Sequence, residues 1–183
     1  MAFTSLNVPV GLQGRYLKEL NPNLRNVAVL FANENKSAIK TQYEPLVAWG
    51  KENGVNVLGV GVSQKHAADE LAEVVPSAVE KMRLTDPTLK ESIFWITGST
   101  SVFREIATVN AHSSTVPVLS VVPDVVKAGN DTAVMSIGVG FQSNAQLAAI
   151  YGVNVLTGKT RVGDLPVGSV SYTHLTLPTI CSV

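Results

Sequence analysis

The residues best suited to contact a ligand lie in the segment ITGSTSVFRE, where a glycine and several hydroxyls follow an apolar run. Ser99 and Thr100 would begin a helix there, so their hydroxyls and the first N–H groups of that helix could receive a carboxylate or another anionic group. The alternative is an ordinary helix N-cap, because Ser and Thr begin many helices without contacting a ligand. The sequence leaves both interpretations open.

A second polar residue, Asn33, directly follows another apolar run, NVAVLFA. Its amide could hydrogen-bond a ligand, or it could form an Asx turn as the chain leaves a strand. Val122 and Pro123 end the run VPVLSVVP. Their side chains offer apolar surface rather than hydrogen bonds, so we predict that they form an apolar wall of the ligand site beside the polar groups.

The signatures of catalysis are missing from the sequence. The segment GVGFQS begins like a dinucleotide-binding fingerprint, but Ser143 stands where the third glycine is needed. No nucleophile elbow, P-loop or Ser–His–Asp set can be nominated. Cys181 is the single cysteine, and His66 and His112 have no neighbour at metal-ligand spacing. We therefore predict no catalytic residues, no metal site and no cofactor, and binding rather than catalysis.

Composition excludes other classes of function. The chain has 183 residues, of which 45% are hydrophobic and 15% charged, enough for one well-packed domain. Fourteen basic residues balance fourteen acidic ones, whereas a nucleic-acid-binding protein normally carries a basic excess. No apolar run approaches the roughly 20 residues of a transmembrane helix. We expect neither a nucleic-acid partner nor a transmembrane segment.

The segments that must position these residues alternate between two hydrophobic patterns, one typical of strands and one typical of helices. Short, nearly continuous apolar runs cover residues 26–32, 55–62, 92–97 and 116–122. Such runs are typical of parallel strands buried on both faces. Helical patterns cover residues 12–20, 37–53, 67–82 and 99–110, with Pro45 and Pro76 as irregularities. The alternation predicts an α/β fold with a doubly wound parallel sheet, in the strand order second, first, third, fourth.

In such a sheet, ligands bind beyond the carboxyl ends of the strands. Asn33, Ser99 and Thr100 should therefore converge at one edge. The last third of the chain differs: residues 131–140 predict a strand leading into a loose turn. Residues 141–157 predict a helix with one apolar side, formed by Leu147, Ile150, Tyr151 and Leu156.

The order of these elements resembles a known family. The segments GRYLKELNPNLRNVAVLFANENKSA, TGSTSVFREIA and VPVLSVVPDVVKAGNDTAVMSIGVGFQSNAQLAAIYGVNVLTGKTRVGDLPV carry the resemblance, which runs from residue 3 to residue 169. They resemble ABC transporter substrate-binding proteins of the tryptophan/tyrosine type, which have a type I periplasmic-binding fold. That fold has two lobes hinged over a ligand cleft.

The resemblance implies a division of the chain. Residues 1–10 would be a hinge segment, residues 11–130 the second ligand-binding lobe, and residues 131–169 a crossing strand and a helix of the first lobe. The secretion signal and the rest of the first lobe would precede this chain. Residues 170–183, which contain SYTHLTLPT, look like a translated sequencing adapter. We expect this tail to pack poorly, and its alternative is a native edge strand.

The resemblance also implies a function. The chain would be the solute-binding component of an ABC importer, capturing an amino acid or a related small molecule and presenting it to the permease subunits. It would be periplasmic or extracellular and lipid-anchored, and Phe141 would give the ligand an apolar or stacking face. Gly98 and Gly140 stand where family members often carry acidic or amide residues, so the ligand stays unspecified. The alternatives are the ligand-sensing domain of a transcriptional regulator and a small flavodoxin-like enzyme.

Overall fold

The computed structural model describes residues 4–5, 8–165, 168–169 and 174–176. In chain order the strands are β1 (Thr4–Ser5), β2 (Asn26–Ala32), β3 (Asn56–Val62), β4 (Ser92–Ile96), β5 (Val118–Ser120), β6 (Met135–Gly138), β7 (Gly168–Ser169) and β8 (His174–Thr176). The helices are α1 (Val10–Leu20), α2 (Lys36–Ala38), α3 (Glu44–Asn53), α4 (Ala67–Arg83), α5 (Thr100–Phe103), α6 (Ile106–His112) and α7 (Phe141–Leu156). A π-helical turn, Ile39–Tyr43, joins α2 to α3.

The main sheet has the order β3-β2-β4-β5-β6-β8. Its first five strands run parallel, with helices on both faces, which confirms the predicted α/β fold and strand order. β8 pairs with β6 in the antiparallel direction. β1 and β7 form a separate two-stranded parallel sheet.

Strand β2 lies at the centre because both of its faces are apolar, and all seven of its residues are buried. Ala28 and Leu30 face the cluster formed with α4, α5 and α6. Val27, Val29 and Phe31 face the opposite cluster, against α1 and α3. Side chains alternate between the faces of a strand, so a run without polar interruption fills both layers.

The amino ends of the central strands are joined by a buried polar network. The Asn26 Nδ2 group donates to the Ser92 hydroxyl at 2.9 Å and to the Met82 carbonyl at 3.3 Å. Its Oδ1 accepts from the Asn56 amide at 3.0 Å and from the Thr85 hydroxyl at 2.8 Å. Every hydrogen-bonding atom of this buried amide has a partner, so the network stabilises the sheet at the edge opposite the predicted site.

The helix predicted over residues 37–53 is interrupted. Pro45 has no N–H for the α-helical ladder, and it lies in the first turn of α3. The Glu44 N–H reaches the Ile39 carbonyl, five residues back, so the turn before Pro45 is π-helical. Pro76, by contrast, lies inside α4 with its ring exposed to solvent.

The helix predicted over residues 99–110 is two helices, α5 and α6, with a turn at Arg104 and Glu105. Val102, Ile106 and Val109 still pack into one core cluster. Neither proline nor glycine lies at the break, which is why the periodicity alone predicted a continuous helix.

Strand β6 begins at Met135, four residues later than the start predicted at residue 131. The Thr132 hydroxyl donates to the Val125 carbonyl at 2.9 Å and accepts from the Lys127 N–H at 2.8 Å. These bonds hold Thr132 in the preceding loop, so the ladder begins only at Met135.

Helix α7 is apolar but is covered by little of the described chain. Its sixteen residues include no charged side chain, and none of its described side chains is buried. Ile150 is 56% exposed and Leu156 is 89% exposed. Of the described elements, α7 approaches the short strand β1 most closely. The predicted apolar side therefore lacks a core to pack against within the described residues.

This exposure predicts self-association. Leaving large apolar side chains in water forgoes about 1.5–3 kcal/mol each relative to burial. We expect the purified chain to sediment as oligomers and Leu156→Lys to shift it toward monomer. Leu84→Lys, at an exposed leucine outside α7, is the control and should change nothing. Monomeric behaviour of the unaltered chain would contradict this prediction.

The tail differs from the expectation at three residues. His174, Leu175 and Thr176 form β8 and pair with Gly138, Ile137 and Ser136. Without β8 the outer side of β6 would leave N–H and C=O groups unpaired, and a segment of strand-forming residues fits such an edge. Residues 170–173 and 177–183 lie outside the described part of the chain.

Two glycines three residues apart in α1 make a matched pair for a stability test. A Cβ on Gly14 would lie 2.1 Å from the Trp49 ring, whereas a Cβ on Gly11 would meet nothing within 4 Å. Gly11→Ala should raise the free energy of unfolding by roughly 0.5–1 kcal/mol, the usual helix gain. Gly14→Ala should lower it by roughly 1–3 kcal/mol through overpacking. Urea unfolding of both variants measures the difference, and equal effects would show that α1 does not pack on Trp49.

Candidate functional site

The candidate site is a cavity of about 320 Å³ at the carboxyl edge of the sheet. Its apolar walls come from Phe103, Val121, Val122, Pro123, Val139 and Phe141. Its polar groups belong to Gln42, Gly98 and Thr100. Because β4, β5 and β6 are neighbouring parallel strands, the segments that follow them meet here. The volume is at the lower end of the roughly 300–1,000 Å³ of small-molecule pockets.

Four of the six residues predicted from the sequence line this cavity: Thr100, Val122, Pro123 and Phe141. Thr100 and Phe141 are exposed, so their side chains are accessible to a ligand. Val122 is buried and forms part of the wall. These residues give the cavity mainly apolar surface together with the hydroxyl of Thr100.

Ser99 lies at the same edge but is 1% exposed. Its hydroxyl accepts from the Ala32 N–H at 3.2 Å and from the Asn35 Nδ2 group at 3.2 Å. The Thr97 hydroxyl is hydrogen-bonded to it at 3.0 Å. Ser99 makes no side-chain cap bond to α5. Its hydroxyl therefore holds the ends of β2 and β4 together.

Helix α5, which Ser99 and Thr100 begin, is four residues long. That length is about one turn, so few aligned peptide dipoles point toward the cavity. The sequence left an anion site and an ordinary N-cap both open here, and it predicted one continuous helix over 99–110 rather than this short one.

Asn33 follows β2 and is exposed, but it does not line the cavity. Its N–H donates to the Val62 carbonyl at 2.9 Å, continuing the ladder with β3. A Cβ on Gly61 would lie 2.1 Å from the Asn33 Oδ1 atom, so the side chain lies over the end of β3. The Asn33 side chain therefore lies on the β3 side of β2, away from the cavity that follows β4, β5 and β6.

Gln42 is the cavity residue that sequence reasoning missed. It lies in the π-helical turn, and its Oε1 atom accepts from the Gly98 N–H at 3.0 Å. A π-helical turn holds one more residue than an α-helical turn, which rotates the following face by roughly 100°. Pro45 signalled an irregular helix but gave no indication of which side chain would reach the sheet edge.

Glu34, an acidic residue at this edge of the sheet, has structural partners. The Gln64 N–H donates to the Glu34 carboxylate at 3.0 Å, and the Ser63 hydroxyl lies 3.5 Å away. The Gln64 bond, followed by the backbone N–H of Glu34 itself, holds the pKa of this carboxyl below its usual range. Glu34 is therefore ionised near neutral pH and secures the loop after β3. Within the described residues, no group of His, Cys, Asp and Glu could hold a metal ion.

A larger, more open cleft of about 730 Å³ lies at the opposite edge, beside the start of β5. The Asn110 Nδ2 group spans part of it, donating to the Asn130 carbonyl at 2.7 Å and the Thr132 carbonyl at 2.8 Å. These contacts join α6 to the loop before β6. The smaller cavity is the better candidate because it lies at the carboxyl ends of the strands.

Comparison with solved structures gives matches over nearly the whole chain. One is the ligand-free, open structure of CD0873, a substrate-binding protein with adhesive properties from Clostridium difficile, with a TM-score of 0.69 and 18% identity. Another is a conserved domain protein of Vibrio cholerae, with a TM-score of 0.66 and 18% identity. Each match covers 95% of this chain and 54% of the other.

A third match is an ABC domain in complex with L-Trp from Streptococcus pneumonia, with a TM-score of 0.62 and 20% identity. It covers 92% of this chain and 53% of that one. The chain thus has the fold of one lobe of these proteins and spans about half their length. A comparison with protein-family models gives no match, and a comparison with curated proteins gives none. No helix among the described residues is both long and apolar enough to cross a bilayer.

Proposed function

We propose that this chain is the solute-binding component of an ABC importer and captures a small molecule at the carboxyl edge of its sheet. The observation that carries the proposal is the cavity itself, where apolar walls surround a few polar groups beyond three neighbouring parallel strands. Similar folds in a substrate-binding protein and in a domain bound to L-Trp support it.

The cavity suits a small ligand with an apolar body. Phe141 and Phe103 offer ring faces, and the Thr100 hydroxyl can form a hydrogen bond. An amino acid or a related compound has this combination of groups. Permease subunits would be the protein partners, and the location would be periplasmic or extracellular with a lipid anchor.

Closure of a second lobe over the ligand would complete the site. The hinge segment of residues 1–10 contributes β1, which pairs with β7 from the segment that follows α7. The exposed α7 and these paired strands support a division in which residues 11–130 form one lobe and residues 131–169 lead into the other. Binding would then favour the closed arrangement of the two lobes.

A thermal-shift screen against the standard L-amino acids tests the proposal. A ligand that binds the folded chain and not the unfolded chain raises the melting temperature by mass action. We expect at least one amino acid with an apolar side chain to raise it in a concentration-dependent way. The absence of any concentration-dependent shift across the panel would argue against solute binding.

Thr100→Val should weaken that binding without weakening the fold. Loss of one hydrogen bond to a ligand costs roughly 0.5–1.5 kcal/mol, or up to about tenfold in affinity. Thr100 is exposed, so the melting temperature of the ligand-free chain should hardly change. Titration calorimetry with the amino acid found in the screen measures the affinity of both proteins. Thr115→Val, at an exposed threonine outside the cavity, is the control and should leave the affinity unchanged. A lower melting temperature with unchanged affinity would make Thr100 a helix cap only.

A further inference from the structure

We propose that Gln42 determines which ligands the cavity accepts, by donating from its amide NH₂ group to a carboxylate or carbonyl oxygen on the ligand. This inference rests on the proposed function, because it concerns the same cavity. It names the chemical class of the ligand: an apolar body that carries a hydrogen-bond acceptor.

The orientation of the Gln42 amide is fixed by its neighbour. The Gly98 backbone N–H can only donate, and it lies 3.0 Å from the Oε1 atom. A flipped amide would set two donors against each other, so the oxygen must face Gly98. The Nε2 group lies beside Gly98, 3.5 Å from the position that a Cβ there would take. Since the oxygen bonds to Gly98, the NH₂ group is the part of the amide that the proposal assigns to a ligand in the cavity that Gln42 lines.

The rest of the cavity lining offers few other polar groups, so the Gln42 amide has a large influence on which ligands bind. Apart from Gln42, Gly98 and Thr100, the described lining residues are apolar, and none is charged. The Gly98 N–H is already used by Gln42. An amide NH₂ has two N–H donors, so one can serve a ligand even when the other bonds within the protein. A hydrogen bond among apolar walls is stronger than the same bond in water.

The π-helical turn is the device that presents this side chain. Pro45 interrupts the ladder, and the turn from Ile39 to Tyr43 takes an extra residue. π-Helical turns are rare in proteins, and those that do occur often lie at functional sites. The Gly98 bond then connects the turn to the loop after β4, the strand whose end forms part of the cavity.

The experiment compares two probes with the same apolar body, 3-phenylpropanoate and 3-phenylpropylamine, by amide NMR titration of the 183-residue chain. The unaltered chain should bind the carboxylate more tightly than the amine. Gln42→Leu should weaken carboxylate binding about tenfold and leave amine binding nearly unchanged, as expected for loss of a hydrogen bond to a charged group. Gln42→Glu should reverse the preference, because one oxygen still accepts from Gly98 while the other faces the ligand.

Gln146→Glu, at an exposed position of α7 outside the cavity, is the control for the added charge and should keep the preference for the carboxylate. If the probes bind but Gln42→Glu leaves their affinity ratio unchanged, the inference is overturned and the proposed function stands. If neither the probes nor any amino acid binds the unaltered chain, both are overturned. Should Gln42→Leu fail to fold, Gln42→Glu keeps the bond to Gly98 and decides the question alone.

Discussion

Replacing Asp86 with alanine should lower the free energy of unfolding by about 3 kcal/mol. This carboxylate is 3% exposed and lies in the loop before β4. It accepts from the Glu91 N–H and the Ser92 hydroxyl, each at 2.8 Å, and from the Thr88 hydroxyl at 3.1 Å. Alanine would leave these donors without their partner, and Ser92 also belongs to the Asn26 network that joins the amino ends of three strands.

The effect of this substitution should depend on pH. Burial alone raises the pKa of Asp86, but the bonds from Ser92, Glu91 and Thr88 lower it more, so the net pKa lies below its usual range. The stabilisation is then fully present above the ordinary carboxyl pKa, about pH 4, and is lost as the pH falls through the lowered value.

Urea unfolding of the unaltered chain and of Asp86→Ala, at neutral pH and at acidic pH, measures both effects. The difference between the two proteins should be largest at neutral pH and should shrink in acid. Asp164→Ala, at an exposed aspartate, should stay within about 0.5 kcal/mol at every pH. A difference that persists unchanged in acid would show that the charge of Asp86 contributes nothing.

Replacing Gly138 with alanine should lower the free energy of unfolding by about 3 kcal/mol, the upper part of the overpacking range. A Cβ there would lie 1.8 Å from the Val121 carbonyl oxygen and 2.7 Å from its carbon. Both atoms are backbone, so no side-chain rotation relieves the clash and the end of β6 must move from the segment after β5.

The same displacement should reach the cavity, because Val121 and Val139 both line it. We expect Gly138→Ala to weaken ligand binding as well as stability, measured by urea unfolding and by calorimetry. Gly163→Ala, where a Cβ meets nothing within 4 Å, should leave both unchanged. If the Gly138→Ala chain folds stably and binds the ligand with unaltered affinity, the shape of the cavity does not depend on the contact between β5 and β6.

The fold was largely predictable because its strands carry an unambiguous pattern. The run of residues 26–32 has no polar interruption after Asn26 and is bounded by polar residues, which favoured a strand buried on both faces. A central strand with helical connections on either side then leaves few topologies. The break between α5 and α6 was not predictable, since Val102, Ile106 and Val109 keep a helical spacing across it.

The site was predictable in its apolar wall and less so in its polar groups. Val122, Pro123 and Phe141 follow the ends of β5 and β6 within three residues, so strand order alone places them at one edge. Ser99 shows the limit of sequence-based prediction. Its position in the sequence is that of a helix cap, but its hydroxyl accepts a hydrogen bond from the N–H of Ala32 in β2, 67 residues away in the sequence. Gln42 depends on a π-helical turn, a geometry that no periodicity in the sequence specifies.

Amide NMR mapping during titration with 3-phenylpropanoate and with the standard L-amino acids tests the central claim most directly. The claim is that the chain binds a small molecule at the carboxyl edge of its sheet. It predicts concentration-dependent shifts at Gly98, Thr100 and Val122, which line the cavity. It also predicts no change at Ala111 and Asn130, which line the open cleft at the opposite edge. Shifts confined to that cleft, or no shifts with any of these compounds, would contradict it.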